Sequence, residues 1–232
     1  WDAPHSLEDH LRSVAELSAG SAASFNSEGW AALAGLWHDL GKYREPFQKY
    51  IRDQTGYDRE NAHVEQGTGR VTHSTAGAIH AVERLGPVYG HIIAYLIAGH
   101  HAGLPDWLGG RGGLSFRLKE SETEYLESLS QSIPANILNG EIPKIPEVAR
   151  DSNAISLWMR LLFSCLVDAD FLDTEQYMSP DKAAKRVADL GMAAVSNAYF
   201  RHMENFRSAA EATPLNKIRE SIFDSCVAAA KL

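Results

Sequence analysis

The segment "LWHDLGKYREPFQKY" sets His38 and Asp39 side by side at the end of an apolar run, followed by Gly41 and Lys42. Trp37 and Leu40 mark the surroundings as core. A charged pair in such a place is costly unless it is hydrogen-bonded or holds a metal ion. Both readings stay open on this segment alone. The ten histidines are unevenly spread, however. His100 and His101 close another apolar run, His73 opens a helix-like segment, and His10 falls between Leu7 and Val14 on one helical stripe. Imidazole and carboxylate together suit borderline divalent ions such as Mn, Fe, Co, Ni and Zn. One aspartate can bridge two ions through its two oxygens, and two ions about 4 Å apart make a site for in-line phosphoryl transfer. A histidine-rich pair of ions bridged by Asp39 needs ligands from several helices, and these residues supply them.

The aspartates of "LVDADFLDTE" separate by geometry. Successive helical residues differ by about 100°, so Asp168 and Asp170 point to nearly opposite sides. Asp168 continues the row Ser156, Arg160, Ser164. Asp170 continues Met159, Phe163, Leu166 and Val167, where a carboxylate needs a partner or a metal. Asp170 is therefore the expected ligand, and Asp168 a structural residue. His80 lies about 10 Å along the helix from His73, too far to share an ion, and reads as core or support. His5, His63, His91 and His202 have no companion at ligand spacing. Trp30, Trp37, Trp158 and Phe163 read as core aromatics, whereas Trp107, in a loop after the histidine pair, either stacks on a nucleobase or anchors packing.

The elements that must position these residues read almost wholly as helix. Leu7, Leu11, Val14 and Leu17 form the stripe of a first helix, and Trp30, Leu33, Ala34 and Trp37 that of a second. "YREPFQKYI" is a short helix with Pro46 in its first turn. Residues 53–72 read as a long loop. "STAGAIHAVERLG", capped by Ser74 or Thr75 and ended by Gly86-Pro87, precedes "VYGHIIAYLIAGHH". Residues 103–118 are glycine-rich loop, 120–131 a modest helix, and Pro134, Pro143 and Pro146 mark an extended connection. "SNAISLWMRLLFSCLVDADFLDTE" is apolar nearly all round and therefore central. Residues 181–211 and 215–231 complete the set. With no alternating pattern, repeat or evident linker, the expected fold is all-α, one irregular helical domain spanning 1–232.

The bulk properties fit. The chain has 232 residues, 44% hydrophobic and 22% charged, with a net charge of −8. Such a balance argues against a nucleic-acid coat protein but permits a nuclease, because bound ions supply positive charge where phosphate sits. Cys165 and Cys226 make no C-x-x-C pair and read as buried thiols of a reducing cytoplasm. No signal peptide or membrane span is legible.

"HDLGK", with an upstream histidine and a downstream aspartate, resembles the HD metal-dependent phosphohydrolase superfamily. Together with "HSTAGA" (residues 73–78), "GHHAGLPDW" (99–107) and "DADFLDTE" (168–175), the pattern is similar to the HD nuclease domain of the CRISPR-associated helicase-nuclease of type I systems, across residues 7–175. That resemblance implies one ion held by His10, His38, Asp39 and Asp170, and a second held by Asp39, His73, His100 and His101. The ions would be Mn, Co, Ni or Fe, with Mg and Zn as other candidates. Lys42 would face the phosphate and stabilise its developing charge. Arg44, Lys49, Arg52, Arg111 and Arg117 are candidates to guide a strand, each equally readable as surface charge, and Trp107 joins Lys42, Arg44 and Arg111 as a substrate contact. The implied activity is hydrolysis of single-stranded DNA in CRISPR interference. The implied partners are helicase domains, in cis or in trans, and through them an RNA-guided surveillance complex. The tail "TPLNKIRESIFDSCVAAA" looks like the lead into such a helicase, and no Walker A loop is legible, so the expectation is a domain excised from a helicase, with a naturally separate partner of one as the alternative. Two other readings keep the sequence but change the role: an HD phosphohydrolase of nucleotides or small phosphate esters, and a non-catalytic, metal-stabilised module that docks a helicase.

Overall fold

A computed structural model describes residues 5–53, 73–186 and 191–229. Helix α1 (Leu7–Ala22) is capped by Ser6, whose hydroxyl accepts from the Asp9 amide, one of the orphan donors of a first turn. It packs on α2 (Glu28–Trp37). A 3₁₀ turn, Leu40–Tyr43, leads to α3 (Glu45–Asp53). Helix α4 (Ser74–Gly99) is two helices joined at Gly86, whose φ of 76° suits glycine alone. The break expected at Gly86-Pro87 is thus a sharp kink. Ser74 and Thr75 do not cap α4. His73 holds the cap position without a side-chain bond, and both hydroxyls contact Arg117 instead.

Three short helices follow: α5 (Leu114–Glu120), α6 (Glu122–Leu129) and α7 (Ala135–Leu138). The glycine-rich stretch therefore ends earlier than its composition suggests. Leu114 is wholly buried, and the Leu114 amide donates to the Asp106 carbonyl, which closes the loop and lets α5 start. The long helix α8 (Ser152–Met178) packs on α1, α2 and α4. Its Trp158, Leu162, Leu166 and Ala169 are buried, but Leu157, Leu161 and Phe171 are exposed. It is one-sided rather than apolar-buried all round. A single turn, α9 (Pro180–Ala183), ends the first of two compact units, Trp1–Ala183 and Ala184–Leu232.

The second unit contains α10 (Gly191–Ser208) and α11 (Pro214–Ala229). The helix expected over 181–211 is instead α9, then α10 starting at Gly191 with φ 58°. Arg207 ties the pair, 2.7 Å from Glu220 and 3.1 Å from Asp224, with its guanidinium over Phe223. Among the described residues the only extended pairing is a bridge between Gly109 and Arg111. The loop expected over 53–72, with His63, lies outside the described residues beyond Asp53, and so does the side chain of Arg52. No described helix is long and apolar enough to cross a membrane.

The core of the first unit is aromatic and aliphatic. Trp30, Trp37 and Trp158 are essentially inaccessible, and their indole N–H groups donate to Lys144 O, Ile137 O and Ser27 Oγ. A buried indole needs such partners. Two glycines then decide how closely α4 meets the end of α2. A Cβ on Gly41 would overlap the His73 carbonyl, and one on Gly77 would overlap the Trp37 carbonyl. Those close approaches carry the start of α4 onto the His38-Asp39 turn.

Candidate metal centre

Helix ends explain where the histidines sit. The last carbonyls of a helix lack intrahelical donors. At the end of α2, His38 donates from Nδ1 to the Gly35 carbonyl at 2.7 Å. At the end of α4, His100 does the same to the Ile97 carbonyl at 2.6 Å. Each ring thereby satisfies a helix terminus, and its Nε2 is left to point away from it. His10, on the buried stripe of α1, sends Nε2 to the same place. His73 arrives from the start of α4, and His101 follows His100.

Asp39 is the centre of the arrangement. It is fully buried, and its two oxygens face different groups. Oδ2 lies 3.4 Å from His10 Nε2 and 3.2 Å from His38 Nε2. Oδ1 lies 3.4 Å from His73 Nε2 and 3.6 Å from His100 Nε2. Asp170 Oδ1 closes the first group at 3.4 Å from His10 and 3.7 Å from His38. His101 Nε2 closes the second at 2.7 Å from His73 Nε2. The result is two sets of four candidate ligand atoms, each set lying within 4.8 Å of one another.

These residues fit metal ions. Most of the separations are too long for hydrogen bonds. They match the edge of a tetrahedron around an ion with ligands at 2.0–2.1 Å, about 3.4 Å. Among the described residues, Nε2 of His10, His38 and His100 and Oδ1 of Asp39 are buried without a hydrogen-bond partner. Buried polar atoms are rarely left so. Lys42 ion-pairs with Asp39 Oδ2 at 2.5 Å.

Protonation divides the two sets. Burial opposes charge on His10, yet Asp170, Asp173 and Asp39 raise it to about 11. Burial likewise opposes charge on His38, but the Asp39 and Asp170 carboxylates raise it to about 9. In the second set, burial pushes His73 down to about 3 and His101 to about 2, with Lys42 and neighbouring histidines adding to the effect. Asp39 resists the upward push of burial because His38, Lys42, His10 and His100 hold it well below the carboxylate range. Asp170 is lowered by His10 and His38 against the same penalty.

The structure brings together the residues of both expected sets, Asp170 among them, and leaves Asp168 exposed. The expected substrate contacts fare unevenly. Lys42 is 25% exposed and lies against Asp39. Arg111 is exposed in the glycine-rich loop. Trp107 is 40% exposed and packs on His91, its centroid 4.8 Å away, and on Tyr95, so it anchors its loop while showing one side to solvent. Arg44 is committed elsewhere: it pairs with Glu124 at 3.3 Å and Glu127 at 2.8 Å on α6. Arg117 is a brace. It donates to Ala98 O at 2.7 Å and Ser74 Oγ at 2.7 Å, joining both ends of α4 beside His73 and His100. His80 is a satisfied core residue, with Nε2 2.9 Å from the Leu138 carbonyl and its ring against Trp37.

Two residues near the site are not evident from the spacing. Asp173 is buried and contacts His10 Nδ1 at 2.6 Å, and His5 Nε2 reaches the same oxygen at 2.9 Å. The available signal for Asp173 was the apolar row that singles out Asp170, which runs on to it one turn later.

This helical scaffold gathers five histidines and Asp170 around the Asp39 carboxylate, an arrangement of side chains that could hold metal ions. A family model described as the HD domain matches residues 7–137. That is more than half the chain, and the protein belongs to the HD domain family. HD domains are in general metal-dependent phosphohydrolases that bind divalent ions through His and Asp side chains. The match includes His10, His38, Asp39, His73, His100 and His101, and Asp170 lies beyond it. No curated protein matches the chain.

Proposed function

We propose that this protein is a nuclease that hydrolyses phosphodiesters of single-stranded DNA through two divalent ions. The observation that carries the reading is Asp39, with one oxygen facing each four-residue set. His10, His38, Asp39 and Asp170 would hold one ion, and Asp39, His73, His100 and His101 the other. Bound there, the ions supply Lewis acidity toward the phosphate and activate water for the attack. Mn, Co, Ni or Fe suits this donor set best, with Mg and Zn as the other candidates.

The chain's own side chains do the rest. Buried His38, Asp39 and His100 form a rigid wall, so ligand directions are fixed before substrate arrives. Lys42 sits on the partly exposed side of Asp39, where its ammonium group meets a phosphate and stabilises the charge that develops on it. Trp107 offers an exposed aromatic side for a base, and Arg111 a cation on the same loop. Two divalent ions set against Asp39 and Asp170 leave the site at about +2, which draws an anionic strand despite the chain's net charge of −8.

The type I CRISPR assignment is supported by the resemblance of "HDLGK", "HSTAGA", "GHHAGLPDW" and "DADFLDTE". In that role residues 1–232 act with helicase domains, in cis or in trans, which feed a strand opened by an RNA-guided surveillance complex. The test is cleavage of circular single-stranded DNA with Mn, Co, Ni, Mg or Zn supplied in turn, with EDTA and Asp39→Ala controls. Metal-dependent cutting that both controls remove is expected. An uncut circle, with hydrolysis of nucleotides or small phosphate esters by the same sample, would replace the nuclease reading by a small-substrate phosphohydrolase.

A further inference from the structure

Three ligand histidines have Nδ1 tied to an acceptor, and the acceptors differ. His38 and His100 use backbone carbonyls. His10 uses a carboxylate, Asp173 Oδ2, at 2.6 Å. Asp173 is 6% exposed and lies one turn after Asp170 on α8. His5, before α1, donates a second bond to the same oxygen at 2.9 Å and stacks on Tyr177 at 4.8 Å. The chain His5–Asp173–His10 thus ties the start of α1 to the end of α8 and runs directly into the metal centre.

A carboxylate does two things that a carbonyl does less well. As a charged acceptor it forms the stronger bond to an imidazole N–H. It also fixes the tautomer with Nδ1 protonated and raises the basicity of the opposite nitrogen, the one offered to an ion. His10 needs both more than its counterparts do. It sits in the first turn of α1, far from the helix's unpaired last carbonyls, and has no helix-end carbonyl to orient it, whereas His38 and His100 have one each.

We propose that Asp173 is a positioning residue that aims His10 Nε2 and, steadied by His5, sets the affinity of the Asp170-containing half for its ion. This rests on the metal-centre reading but not on DNA being the substrate. The competing possibility is that His5, His10 and Asp173, whose ligand atoms also lie close together, hold an ion of their own. His10 Nε2 already faces Asp39 and Asp170, so a second ion on Nδ1 would require an imidazole stripped of both its protons, which argues against it.

The experiment is calorimetric titration of the full chain with Mn²⁺, together with the visible spectrum of the Co²⁺ form. The variants are Asp173→Ala, Asp173→Asn and His5→Ala. Wild type should bind two ions. Asp173→Ala should weaken one of them by about 10–100-fold, leave the other unchanged and shift the Co²⁺ spectrum. Asp173→Asn keeps an acceptor oxygen without its charge and should recover only part of the affinity, and His5→Ala should show a smaller loss. Should Asp173→Ala fail to fold, the other two variants carry the test. Asp173 variants that melt earlier yet bind both ions as wild type does would overturn the proposal, leaving a structural pin. Three ions in wild type and two in the variants would also overturn it, in favour of a separate site. A wild type that takes up no ion would refute the metal centre itself, whereas normal uptake without DNA cleavage would refute only the nuclease reading.

Discussion

The two halves of the centre share Asp39 and have four ligand residues each, yet they solve the cost of burial in different ways. The half with Asp170 holds a second carboxylate, and its histidines keep their protons: His10 to about 11, His38 to about 9. The half with His101 has only one Asp39 oxygen, and its His73 and His101 are neutral at any ordinary pH. One half is internally compensated by charge. In the other, burial keeps His73 and His101 without charge. Equal ligand counts therefore conceal unequal chemistry: an ion entering the first half must displace protons, and an ion entering the second need not.

The largest effect should come from the residue common to both. Asp39→Ala should remove both ions and lower hydrolysis by on the order of 10³-fold or more, read by metal content and by rate together. Splitting the pair is the next step. His10→Ala should cost the first ion and His101→Ala the second, each leaving about one equivalent by elemental analysis; loss of both ions in either variant would show that the halves fill only together. The pH dependence then sharpens the contrast. Below about pH 9, uptake by the first half should strengthen about tenfold per pH unit for each proton displaced, and uptake by the second should be nearly flat between pH 6.5 and 8.5. Calorimetry in buffers of different ionisation enthalpy separates the two.

Stability in chelator should respond with opposite signs. His10 and His38 are raised above their usual 6.5, so what they contribute is full below that value and is lost as pH climbs through about 9 and then 11. His73 and His101 are lowered, so their contribution is present above 6.5 and is lost as pH falls toward 3 and 2. Thermal melts should therefore show an acid limb that His101→Gln reduces and an alkaline limb that it leaves alone. The smallest effect concerns the scaffold. Gly77→Ala, which would press on the Trp37 carbonyl, should cost about 1–3 kcal/mol and loosen the His73 side of the centre more than the His10 side, since α4 carries only the former.

Much of this centre was legible because its residues break local rules. A histidine on the α1 stripe, an aspartate on the apolar row of α8 and two histidine-containing dipeptides at helix ends each stand out against a neighbourhood that favours apolar side chains. Glycine was legible as punctuation at Gly86, but the service of Gly41 and Gly77, a close approach of two elements, needs the packed structure. Arg44 and Arg117 were not legible as structural residues. Their partners lie 83 and 43 positions away, and a cation near a phosphate site reads the same in sequence whether it waits for substrate or holds two helices. His5 was hidden for the same reason, since Asp173 is 168 residues distant. The turn over residues 184–186 was missed because amphipathic spacing continues across it, and the exposed side of α8 because its Leu157, Leu161 and Phe171 look like core.

The central claim is that Asp39 bridges two ions. Anomalous diffraction from crystals grown with Mn²⁺ tests it most directly. The account predicts two peaks, one beside Asp39 Oδ2 among His10, His38 and Asp170, the other beside Oδ1 among His73, His100 and His101. A single peak on one side of Asp39 at saturating Mn²⁺, or peaks that avoid Asp39 altogether, would contradict it.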